Sequence, residues 1–138
     1  MKIADAIARF TIRPDIRDLP VIREQLANLT AAEKNRQGNA DTDLMRLYTV
    51  QLFSAGDSAD IELIWKAKTA SMDADASIDV QLLCGCGLEA SRSYLSKTPF
   101  FGASAALIRI QECEAAGDFA EFSIEQVLCD CEEYYGLN

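Results

Sequence analysis

The sequence predicts an all-α fold built from stacked antiparallel helical hairpins, a short superhelix with a period of about 30 residues. Three observations carry this expectation. A motif recurs, with "QLFSAGD" starting at Gln51, "QLLCGCG" at Gln81 and "QECEAAGD" at Gln111, and turn glycines at Gly56, Gly87 and Gly117. Apolar residues on either side of the motif follow helical spacing, which gathers them on one face. Strand signals are missing: there is no useful alternating run of Val, Ile or Thr and no Asn-Gly or Asp-Gly hairpin turn.

The first 40 residues fit the repeat less well and read as a divergent helical cap, because the end units of a stacked array must differ from internal ones. The pattern predicts a short helix near 2–10 and a turn through Pro14. A second helix follows over about 20–36, its start marked by Asp18 and Pro20. The polar tail "EKNRQGNAD" reads as a loop. Residues 41–138 hold three hairpins. The first has Leu44, Leu47, Tyr48, Val50 and Leu52 before its corner, then Ile61, Ile64, Trp65 and Lys68, an apolar face fading into a solvated end. The second has Ile78, Leu82 and Leu83, then Leu88, Ser91, Tyr94 and Leu95. The third has Leu107, Ile110 and Cys113, then Ile124, Val127, Leu128 and Cys131. Glycine suits each corner because a helix often ends in a left-handed residue, and Asp57 and Asp118 are placed to cap the helix that follows. "SMDADAS" and "KTPFFGAS" read as connections between packed helices. Residues 1–138 thus form one all-helical domain, large enough to hold a core without staples.

Over 42–138 this hairpin rhythm resembles that of HEAT-type and ankyrin-type repeat proteins. The likeness is architectural: the ankyrin T-P-L-H signature is absent and HEAT repeats are longer. It implies protein binding, since stacked hairpins present extended surfaces.

The formal charge is −9 and is unevenly spread. Residues 111–138 carry eight acidic side chains and no basic one. Such a field repels nucleic-acid phosphates and anionic lipid and attracts basic surfaces, so nucleic acid is excluded as a partner. No apolar run approaches the length of a membrane span, and "MKIADAIARF" lacks the continuous apolar stretch of a signal peptide. These features, with an odd count of five cysteines, point to a cytoplasmic protein with reduced thiols.

No catalytic residue, metal site or cofactor emerges from the motifs. The chain has no histidine, which removes any nucleophile–histidine arrangement, and no phosphate-cradling glycine loop. The Cys-x-Cys pairs at 84/86 and 129/131 lack zinc spacing, since one helix cannot point positions i and i+2 the same way. Shifting by one repeat places Cys113 on Leu83 and Phe53, a core position, and Cys84 on Ser54 and Glu114, an exposed one. Cys86 falls on Gly56 and Ala116, a small-residue corner. "DADASIDVQLLC" opens like a calcium loop but lacks its sixth-position glycine and final glutamate, so Asp73, Asp75 and Ser77 read as helix-start caps.

The final helix carries the strongest functional pattern. Ile124, Val127, Leu128 and Cys131 form its inner stripe, and Glu125, Asp130, Glu132 and Glu133 lie outside it. Carboxylates in a last helical turn oppose the helix dipole at a cost of about 0.3–1 kcal/mol each. They make either a solvated end or an electronegative docking surface, with Phe119, Phe122, Tyr134 and Tyr135 as aromatic anchors. The expectation is a non-enzymatic interaction module engaging a basic protein partner, for example an immunity-type antagonist masking a cationic toxin. The alternative is a small-molecule-binding domain or enzyme with a pocket between hairpins, near Trp65 or Tyr94.

Overall fold

Lys2 is extended, and the amphipathic run behind it forms α1 (Ile3–Phe10), which buries Ala6 and Phe10. The computed structural model describes residues 1–137, which hold eight α-helices and no strand. Thr11 ends α1 at φ 58°. Asp15 then caps a 3-10 turn at Ile16–Asp18, and Pro20 sits in the first turn of α2 (Leu19–Asn35), where its missing N–H costs nothing.

The Asp41 carboxylate accepts from the amides of Asp43 and Leu44 and starts α3 (Thr42–Ala55), which Gly56 terminates at φ 70°. Every residue of α3 from Leu44 to Phe53 except Arg46 is buried. A helix apolar on nearly all sides needs neighbours on all sides. Accordingly α1, α2, α5 (Met72–Ser77) and α8 (Ile124–Tyr134) pack around α3. The α4 helix (Ile61–Lys68) packs on α2, and α6 (Leu88–Lys97) packs on α7 (Ala103–Ala115).

The middle of the chain departs from the pattern. "SMDADAS" is a helix, α5, rather than a connection: Ser71 Oγ accepts from the Ala74 amide and Ala74 is buried. The cap is Ser71, not Asp73, Asp75 or Ser77. In place of a helix before the middle corner there is a four-residue 3-10 turn at Val80–Leu83. The cause is Lys68, which is 4 % exposed instead of solvated. Its Nζ donates to the carbonyls of Asp75 and Ile78 and lies 2.7 Å from the Asp75 carboxylate. Drawing the Ile78 carbonyl inward holds that residue extended (φ −103°, ψ 106°) and ends the helix.

Four residues take other places than their sequence pattern predicts. Cys84 is fully buried rather than exposed, and Cys113 is only partly buried. Glu33, where the helix expected over about 20–36 overlaps the polar tail, lies in α2 and is 1 % exposed rather than solvated. Its carboxylate accepts from the Gly38 and Ala40 amides (3.0 and 3.1 Å) and from Ser71 Oγ (2.6 Å). Asp118 caps nothing; α8 begins six residues later, and Ser123 caps it by accepting from the Gln126 amide.

The corners at Gly56 and Gly85 meet beside the C-terminal end of α3, and Asp118 and Phe122 of the segment before α8 join them. The Gly85 backbone lies against Phe53 and Gly56. Gln81 Nε2 donates to the Asp118 carbonyl at 2.7 Å, and the Phe122 ring stands 6.5 Å from that of Phe53, edge to face.

Candidate functional site

The Gln81–Asp118 hydrogen bond sits where two hollows meet. On one side is a cleft of about 470 Å³ between the 3-10 turn, residues 118–123 and α8. Its walls carry the carboxylates of Asp79, Asp118, Glu121 and Asp130, and its apolar surface comes from Leu82, Phe122 and Val127. On the other side a hollow of about 580 Å³ is lined by Lys68, Asp75 and Arg109. Both share Asp79, Gln81 and Asp118, so they run together as one groove.

The cations along this groove are already engaged. Lys68 and Arg109 both hold Asp75, at 2.7 and 3.1 Å. Burial alone would raise the Asp75 pKa; hydrogen bonds from Arg109 and Lys68 outweigh it and keep the carboxyl below its ordinary value. Arg46 donates to Tyr135 Oη at 3.0 Å and lies 3.7 Å from Asp79. Its guanidinium also stands 5.5 and 5.9 Å from the rings of Tyr134 and Tyr135. Asp118, Glu121 and Asp130 have no cationic partner among the described residues. Asp130 accepts from Gln126 Nε2 at 2.8 Å, and the groove therefore faces solvent with a net negative wall.

The residues singled out in the sequence separate into distinct places. Of the four acids on α8, only Asp130 enters the groove. Glu125 and Glu132 lie on another face, 2.7 and 3.2 Å from Arg13 of the linker before α2. Glu133 is exposed. Phe119 is 7 % exposed, its ring 5.3 Å from Phe122, so it packs inward. Tyr135 is half-buried against Arg46, and Tyr134 stays exposed. Trp65 lines a separate niche of about 180 Å³, which Tyr94 does not join.

Pattern reading missed Arg13, Arg46, Asp79 and Glu121. One signal was available: Gln51 and Gln81, which open the two similar sequence motifs, each donate to a carbonyl of another segment, Thr11 and Asp118. The first two of the three recurring glutamines thus mark where segments meet, while Gln111 is exposed. No helix among the described residues is long and apolar enough to cross a membrane. Compared with protein-family models, curated proteins and solved structures, the chain matches none.

Proposed function

We propose that this chain is a non-enzymatic, cytoplasmic protein-interaction module whose acidic groove receives a basic segment of another protein. The observation that carries the reading is the pairing of unneutralised carboxylates at Asp118, Glu121 and Asp130 with an apolar surface from Phe122 and Val127. Lysine and arginine have that chemistry in reverse, an apolar stem ending in a cation, so stem and head are both accommodated. We read the three corners as units of a repeat, which would supply an extended face around the groove. A small acidic antagonist that masks a cationic protein is one concrete form of this function.

The test is a nuclear magnetic resonance titration of the labelled chain with an arginine- and lysine-rich peptide, at low and at physiological ionic strength. The expected perturbations cluster at Asp79, Gln81, Asp118, Glu121, Gln126 and Asp130 and weaken as salt rises, because exposed charges are screened within about 8 Å at physiological ionic strength. Asp118→Lys/Asp130→Lys should remove them. Shifts spread evenly over Asp5, Glu24, Glu62 and the groove would mean diffuse attraction and would sink the proposal.

A further inference from the structure

The loop between α6 and α7 holds one aromatic ring out in solvent on a fixed support. Phe101 is 98 % exposed. It sits in a turn closed by the Ala103 amide, which donates to the Phe100 carbonyl at 3.1 Å, and Pro99 stiffens the backbone before it. Gly102, at φ 100°, seats the turn against Trp65: a Cβ there would stand 2.8 Å from Nε1. A singly exposed apolar residue is ordinary. The charges around this one are not. Lys34 and Lys66 border the depression on one side of Phe101 and Lys97 borders that on the other, and no carboxylate among the described residues lines either. Lys66 is tied to Glu62 at 2.8 Å, whereas Lys34 and Lys97 are exposed with no ion-pair partner among the described residues. In a chain of 22 acidic and 13 basic side chains, the tip is a local reversal of sign.

A rigid aromatic ring flanked by ammonium groups is complementary to an apolar surface rimmed by carboxylates. The chain carries that surface itself, in the cleft between the 3-10 turn and α8. Leu82, Phe122 and Val127 supply its apolar part, and Asp118, Glu121 and Asp130 its unneutralised acids. The cleft of about 470 Å³ has room for the ring, since a cavity of about 150 Å³ holds benzene. We propose that the Phe101 tip of one copy docks in the acidic cleft of a second copy. The proposal rests on the acidic groove being a docking site and names a second copy of this chain as its occupant. Tip and cleft share no lining residue, so both are available on every molecule. One ring and two ammonium groups make a small interface, and the association is correspondingly weak. The charge of −9 on each copy adds a long-range repulsion that salt screens, while burial of the ring is not screened. Self-association therefore strengthens from low to physiological ionic strength, the reverse of the trend for a basic peptide.

Sedimentation equilibrium of the full chain at up to about 1 mM tests this, a range in which weak contacts register. The average mass should rise above that of the monomer with concentration, and more so at physiological than at low ionic strength. Phe101→Ala removes the tip and keeps the cleft. Asp118→Lys/Asp130→Lys keeps the tip and sets like charges against its lysines. Each variant alone should associate about tenfold more weakly or worse, as loss of a central anchor does. All three positions are exposed, so the melting temperatures should stay close to that of the parent chain. Mixed, the two variants should form a one-to-one pair, since one brings the cleft and the other the tip. A parent chain that stays monomeric, an undiminished Phe101→Ala, or a mixture that stays monomeric would overturn self-docking. If a basic peptide still perturbs the groove in that event, the acidic groove stands with another protein as its occupant; if it does not, both readings fall.

Discussion

Gly85 lies so close to Phe53 that a Cβ at position 85 would stand 2.5 Å from the Phe53 carbonyl oxygen and 3.0 Å from its Cα. Both obstacles are backbone, which cannot swing aside as a side chain can. Gly85→Ala should therefore cost about 1–3 kcal/mol, the usual range for overpacking. Cys86→Ser is the control, since the half-buried thiol lies 3.2 Å from Ser91 Oγ and a hydroxyl preserves that contact. Urea denaturation should show a clear midpoint loss for the alanine variant and a smaller one for the serine variant. Equal losses would mean that the corner tolerates a side chain.

This contact explains the glycine of the Cys-Gly-Cys run and shows how far pattern reading reaches. Helical character and the stop at Gly56 are legible because they depend on residues a few positions apart. The middle of the chain is not, since its form depends on Lys68 reaching the carbonyl of Ile78, a tertiary demand that periodicity does not register. Likewise the acidity of the C-terminal end is visible in a charge count. Which acids stay unneutralised depends on Arg13, 112 residues from Glu125 in sequence, and on Arg46 beside Asp79.

Glu33 should set part of the acid sensitivity. The Ser71 hydroxyl holds its carboxyl below the ordinary value, against burial and with help from the Ala40 and Gly38 amides. A depressed carboxyl stabilises the fold above its unfolded pKa of about 4.3, and that contribution is lost as pH falls through the lower folded value. Glu33→Ala leaves those donors unpaired and should cost about 1–3 kcal/mol at neutral pH. It should also flatten the loss of stability on acidification, measured by denaturant titrations across that window. A variant that keeps the wild-type acid slope would place the sensitivity elsewhere.

The cysteines should react in an order set by burial. All five are free, and Cys84 and Cys131 are buried. Burial pushes the Cys84 thiol up to about 12 and raises that of Cys131 as well, leaving almost no thiolate at neutral pH. Timed alkylation followed by mass spectrometry should label Cys86, Cys113 and Cys129 first, and the two buried thiols only on unfolding. Early labelling of Cys84 would show that the corner at Gly85 opens readily.

The last helix offers two neighbouring glutamates with opposite expected behaviour. Both lie in the final turn of α8, where the dipole disfavours negative charge, and the sequence alone predicts that lysine at either stabilises. The structure separates them, because Glu132 lies 3.2 Å from Arg13 whereas Glu133 is exposed with no cationic partner among the described residues. Glu133→Lys should raise stability by about 0.3–1 kcal/mol, while Glu132→Lys sets an ammonium against a guanidinium and should lower it. Arg13 also holds the Glu125 carboxyl below its ordinary value by a hydrogen bond, so the tie between the linker and α8 persists until pH falls beneath the usual carboxylate range. Amide exchange in α8 should accelerate there, and Arg13→Gln should already show the faster exchange at neutral pH, with little change in α2 and α3. Thermal melts of the two lysine variants and exchange profiles of Arg13→Gln decide the matter. Equal stabilisation by both lysines, or unaltered exchange in α8, would show that Arg13 does not anchor the helix.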